Sequence, residues 1–165
     1  MSLYTRAREH IRGGDLLAWS HRGLDSWYDF KVQLVRMVTR SEYSHVAMAF
    51  PCGNRLLVLE AVIPRVRIYP LSMLLPCEWF PLNLDWTREN EDIALGTVGQ
   101  GYSQLQAVIG YFRKAKGPPD KLWSCAEHFI ITGSNHFECE ETPSAVVQVA
   151  RERGVASKLL SHDFE

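Results

Sequence analysis

The sequence predicts an α+β domain built on a central antiparallel sheet packed against helices, and three observations carry that expectation. Short apolar runs punctuated by glycine and proline crowd the middle of the chain, from residue 43 to about residue 84. Stretches with apolar residues three and four apart flank that region on both sides. The length of 165 residues and the 46% hydrophobic content suit one domain with a sizeable core, taken as residues 1–165. Strands grouped together between flanking helices are the α+β pattern.

Residues 4–12 suggest a short helix ended by Gly13 and Gly14, followed by a short apolar strand, DLLAWS, at 15–20. Residues 26–39 have the spacing of an amphipathic helix, with Trp27, Phe30, Leu34 and Met37 on one face and Ser26 as its cap. YSHVAMAF at 43–50 reads as a strand, the turn is expected at 51–54, and RLLVLEAVIP at 55–64 returns as its hairpin partner. VRIYPL at 66–71 continues the sheet, and another strand is expected around 78–84, whereas 87–101 reads as a polar, glycine-containing stretch. Helices are expected at 103–115, stopped by Gly117-Pro118-Pro119, and at 125–133. The last is expected at 142–154, with Thr142 as cap, Pro143 in the first turn and Gly154 at the exit.

Composition narrows the function classes. The formal net charge of -1 and the lack of a basic stretch interleaved with aromatics argue against a nucleic-acid partner. No apolar run approaches the ~18 residues of a membrane span, and the polar start MSLYTRAREHIRGGDLL lacks the apolar middle of a signal peptide. A cytoplasmic location is the expectation, and the cysteines at 52, 77, 125 and 139 then read as thiols rather than a disulfide framework.

Three residues suggest chemistry: His45, Glu60 and Cys125. Alternation places His45 on one strand face with Ala47 and Ala49, which leaves room for something to approach the imidazole. Glu60 interrupts an apolar strand, LLVLEAVI, so its carboxylate needs a partner or water. His45 on the adjoining strand is one candidate partner, and Arg65 or Arg67 at the surface is the other. Cys125 follows the breaker GPPDK and opens an apolar helical run. In a first helical turn the free N–H groups and the helix dipole favour the thiolate, which is the nucleophilic form. A neighbouring imidazole would lower its pKa further, and a carboxylate would orient that imidazole. Each residue also has a plainer reading: a buried cysteine, a structural histidine and a surface ion pair.

The combination resembles the permuted branch of the NlpC/P60 superfamily, papain-like cysteine hydrolases with the catalytic order His, acidic residue, Cys. The segments that carry the likeness are GDLLAWS, YSHVAMAF, LLVLEAVIPRVRIYPL, GYSQLQAVIGYF and WSCAEHF, in that order, with TPSAVVQVA similar to the closing helix. The resemblance implies a permuted papain-like fold and a cysteine peptidase or amidase, or an acyltransferase. In it Cys125 attacks a carbonyl, His45 moves the proton and Glu60 orients the ring. It implies a small peptide or acyl substrate, cell-wall peptides and, in some relatives, lipids being the known classes, and no cofactor. Asp15 and Trp19 match the first strand, Asp15 as a structural contact. Tyr102 and Ser44 are candidate substrate or oxyanion contacts.

Two rival readings stand beside it. Cys125, His128, His136 and Cys139 form a C-x2-H, H-x2-C arrangement of zinc-type donors, although the loop between the pairs is short for such a site. The other rival is a catalytically silent binding module on the same fold.

Overall fold

The computed structural model describes residues 2–20, 42–102, 122–123 and 142–162. The helices expected at 26–39, 103–115 and 125–133 lie outside the described residues. The chain starts with a short helix, α1 (Leu3–Ala7), whose cap Ser2 accepts from the Thr5 backbone N–H, and passes through one 3-10 turn (Arg8–His10). The sheet strands are β1 (Leu16–Trp19), β2 (His45–Cys52), β3 (Arg55–Ala61), β4 (Val66–Pro70) and β5 (Cys77–Phe80). Next come a helix, α2 (Arg88–Gly96), and a two-residue parallel pair, β6 (Gly101–Tyr102) with β7 (Leu122–Trp123). The second long helix, α3 (Pro143–Glu152), and an edge strand, β8 (Lys158–Leu160), complete the described chain.

The main sheet has six strands in the order β4-β3-β2-β1-β5-β8, every neighbour antiparallel. An α+β architecture with a six-stranded antiparallel sheet is therefore what the chain adopts. β1 occupies the interior of the sheet and all four of its residues are buried, which explains why LLAW shows no polar alternation. One sheet face carries Leu16, Ala18, Val46, Met48, Phe50, Leu59 and Phe80 and packs with Val146, Val147 and Ala150 of α3 and Ala94 of α2. The other carries Leu17, Trp19, Ala47, Ala49, Val58, Cys77 and Trp79 and packs with Tyr4, Ile11, Leu71 and Leu160.

Three sequence expectations change. Pro51 and Cys52 belong to β2, paired with Leu56 and Arg55, so the hairpin turn is only Gly53-Asn54. Gly53 has a φ of 59°, the conformation that a two-residue turn with glycine first requires. Pro51 is tolerated because the backbone bonds from the β1 side of β2 stop at Ala49, which leaves that end of β2 an edge on one side. The polar stretch after Trp86 contains a helix, α2, held by a reciprocal cap between Thr87 and Asn90. Only Ala94 of α2 is buried, so hydrophobic periodicity does not reveal the helix. β8 was not expected at all; its three residues pair with Cys77, Glu78 and Trp79.

The turn before β1 needs both glycines. A Cβ on Gly14 would lie 2.7 Å from the Trp86 ring, one on Gly13 would lie 2.4 Å from it, and Gly14 has a φ of +81°. Gly14→Ala is expected to destabilise the fold by about 1–3 kcal/mol through strain and overpacking. Denaturant unfolding checks this, and an unchanged midpoint would refute it. No helix among the described residues is long and apolar enough to cross a membrane.

Candidate functional site

The site lies at one end of the sheet, where β2 starts and β3 finishes. Trp19 pairs with His45 across β1 and β2, and Glu60 pairs with Arg67 across β3 and β4. Continuing the Met48–Leu59 pair by one step sets Glu60 opposite Ala47, so His45 is its diagonal neighbour on the same face. Long side chains reach across that diagonal. His45 Nε2 and Glu60 Oε2 are 2.9 Å apart.

Arg67 completes the arrangement. Its Nε donates to Glu60 Oε1 at 2.8 Å, and its second terminal nitrogen lies 2.7 Å from the same oxygen. The two partners that sequence offered as alternatives for Glu60 thus bind it together, one on each oxygen. Glu60 is 2% exposed, while the His45 and Arg67 side chains are 18% and 45% exposed. Burial alone would push the Glu60 carboxyl up. The hydrogen bonds and positive charges of His45 and Arg67 outweigh it and hold the group below its ordinary value. An ionised Glu60 favours the tautomer with the proton on Nε2, which makes Nδ1 the basic nitrogen of the neutral ring.

The neighbouring contacts hold His45 in place. The Trp19 ring packs on the imidazole, with centroids 5.3 Å apart, and its indole N–H donates to the Leu74 carbonyl. Ser44, a candidate oxyanion contact, donates its hydroxyl and its backbone N–H to the Trp19 carbonyl, at 3.1 and 2.9 Å. The backbone N–H groups of Glu42 and Tyr43 donate to Ser144 Oγ on α3. Arg151 of α3 donates to Glu42 and to the Tyr43 hydroxyl, which donates to Glu78. Burial, and then the Glu78 carboxylate, raise the Tyr43 pKa, so the hydroxyl keeps its proton for that bond. These contacts join residues about a hundred positions apart in sequence, and no local motif announces them.

The room expected beside His45 is not above the alanines. Ala47 and Ala49 are buried in the core of that face, and only His45, at the strand end, is partly exposed. Asp15 is structural, as its place in the first-strand motif implied. It is 1% exposed and accepts from Arg12 N at 2.9 Å, Trp79 Nε1 at 2.9 Å and Leu82 N at 3.0 Å. Burial raises its pKa, and these donors, with the Asn83 N–H, oppose the rise. Trp79 is a core residue, buried beside Asp15.

Cys125 lies outside the described residues, as do His128, His136 and Cys139 of the zinc-type segment. Tyr102 is in β6, paired with Trp123 of β7. Arg65, just before β4, bridges to Gly101, and Val66 N donates to the Gln100 carbonyl at 2.8 Å. The backbone that ends two residues before Cys125 is therefore tied, through β6, to the start of β4 beside Arg67. Among the described residues no group of three or more His, Cys, Asp and Glu side chains is arranged to hold a metal ion.

The sequence matches no protein-family profile and no curated protein. Among solved structures, the fold is similar to the crystal structure of the metalloprotein yiiX from Escherichia coli O157:H7, a DUF1105 protein. The TM-score is 0.53 at 20% sequence identity, over 76% of this chain and 66% of that one, so the likeness covers about two thirds of that protein and is one of fold.

Proposed function

We propose that the chain is a cysteine hydrolase or acyltransferase of the permuted papain-like, NlpC/P60 kind, with Cys125 as nucleophile, His45 as acid–base and Glu60 as the group that orients it. The observation that carries this reading is the buried Glu60 carboxylate holding His45 Nε2 at the end of the sheet where β2 starts. The β6–β7 pairing supports the assignment of Cys125. Trp123 is anchored to Tyr102, and two further residues span at most about 7 Å.

The chemistry is acyl transfer. The Cys125 thiolate adds to the carbonyl of a peptide, amide, ester or thioester, and the His45 imidazolium protonates the leaving group. Water, or another acceptor in a transferase, then gives its proton to His45 as it attacks the thioester, and Cys125 is released. Small peptides, including those of the peptidoglycan type, and other acyl compounds are the substrate classes this reading favours.

The test is the alkylation rate of each cysteine against pH, read by peptide mass spectrometry. A thiol activated to a pKa of about 6 is half ionised at pH 6, whereas an ordinary thiol is well under ~1% ionised. Its lower basicity cancels about one order of magnitude of that gain. Cys125 is therefore expected to react about tenfold faster in wild type than in His45→Ala at pH 6. Cys52 is an exposed control. Cys77 is a protected one, buried and with its thiol pushed up to about 12 by desolvation and then by Glu78. Equal Cys125 rates in both proteins would defeat the hydrolase reading. A metal site is the second reading, because the similar solved structure is described as a metalloprotein. Stoichiometric zinc in the purified protein, with Cys125 inert, would favour that reading.

A further inference from the structure

We infer that Arg67 is a positioning residue for this site: by taking Glu60 Oε1 with two nitrogens, it leaves Oε2 to His45 and so selects which imidazole nitrogen carries the proton. The catalytic meaning of this inference rests on the function proposed above; the structural role does not.

The argument starts from the carboxylate. The terminal torsion of a glutamate is broad, so a lone carboxylate presents either oxygen in many orientations. Here the Arg67 Nε and terminal nitrogen both lie within 2.8 Å of Oε1, and a planar guanidinium fixes the direction of such contacts. Arg67 stands directly opposite Glu60 in the β3–β4 ladder, so the register itself sets the pair. The guanidinium is braced in turn, its central carbon lying 4.6 Å from the centre of the Tyr69 ring. Tyr69 is two residues along β4 on the same face. With Oε1 occupied, the remaining oxygen faces His45 Nε2 at 2.9 Å.

The consequence concerns the tautomer. A directional acceptor at Nε2 keeps the neutral imidazole protonated there, which makes Nδ1 the basic nitrogen. Without Arg67 the carboxylate turns, the preference for Nε2–H weakens and part of the imidazole carries its proton on the wrong atom. Among the described residues, the titratable and charged groups acting on Glu60 are His45 from β2 and Arg67 from β4. A lysine would restore the charge without the two-nitrogen contact.

The experiment uses full-length protein labelled with 15N-histidine and 13C-glutamate, as wild type, Arg67→Gln and Arg67→Lys. His45 and Glu60 signals are assigned with His45→Gln and Glu60→Gln, and the tautomer is read above the pH at which the imidazolium loses its proton. Wild type is expected to show the Nε2–H tautomer alone. Arg67→Gln is expected to show both tautomers, with the Glu60 titration moved up by about one unit or more. Arg67→Lys is expected to recover most of the Glu60 titration but not the single tautomer. The inference is overturned if wild type carries its proton on Nδ1, or if Arg67→Gln keeps the single tautomer. Should Arg67→Gln not fold, Arg67→Lys decides: mixed tautomers support the inference and a single one overturns it. Cys125 alkylation on the same samples separates the two claims. An inert Cys125 beside the expected tautomers removes the hydrolase reading and leaves Arg67 in its role.

Discussion

Glu60→Gln is expected to destabilise the protein by about 2 kcal/mol at pH 7 and to slow Cys125 alkylation at pH 6 about tenfold. The stability loss follows from the contacts. An amide has one acceptor oxygen, so either Arg67 or His45 loses its acceptor and meets an NH2 group instead. Arg67 is nearly half exposed and recovers part of its loss from water, which keeps the figure near that of one charge-assisted hydrogen bond. The pH dependence has a definite sign. The folded-state pKa of Glu60 is depressed, so its contribution is present above the unfolded value and is lost as pH falls through the folded one. The gap between wild type and Glu60→Gln should therefore narrow below about pH 4.5. Asp15, whose pKa is raised, acts in the opposite sense in the acid range, so the difference between the two proteins is the quantity to follow. Urea unfolding at pH 7 and at successive acid pH values measures it. A gap that stays constant would show that Glu60 is not ionised in the way its contacts imply.

Asp15→Ala is expected to be the more damaging change, at about 3–5 kcal/mol. The substitution leaves the Trp79 indole N–H and the backbone N–H groups of Arg12 and Leu82 without their acceptor. Each unsatisfied buried donor costs about 1–3 kcal/mol, and those near the surface recover part of it from water. Set against a total stability of about 5–15 kcal/mol, the loss would bring the fold close to its limit. Asp15→Asn retains one acceptor and should fall between the two. The effect should appear in the unfolding midpoint, while Cys125 reactivity in the folded fraction stays near wild type. A cost under about 1 kcal/mol would mean that the turn from Arg12 to Leu16 does not depend on this carboxylate.

Strands β1, β2, β3 and β4 were legible, apart from the Pro51-Cys52 end of β2, because each is a short apolar run closed by glycine, proline or a charged residue. α3 was legible from its ends, where Thr142 caps the first turn and Gly154 exits with a φ of +77°. α2 was hidden because it buries a single alanine and its cap uses asparagine where a glutamate or glutamine is the familiar signal. β8 was hidden because a three-residue edge strand acquires its identity from the neighbour it pairs with. The site divides in the same way. An isolated glutamate in an apolar strand announced the need for a partner, and the histidine one hairpin away was a natural candidate.

By itself the sequence determined where most of the sheet strands run, where two of its helices begin, and that Glu60 required a compensating group. These properties depend on residues within one turn or one hairpin of each other, and local patterns carry them. Only the tertiary structure decided that β1 sits inside the sheet beside β5, and that Ala47 and Ala49 are covered by core. It also decided that α3 braces the approach to His45, and that Glu60 gives one oxygen to Arg67 and the other to His45. Those outcomes depend on strand order and register, which are set by burying both sheet faces at once, and no single stretch of sequence contains that constraint.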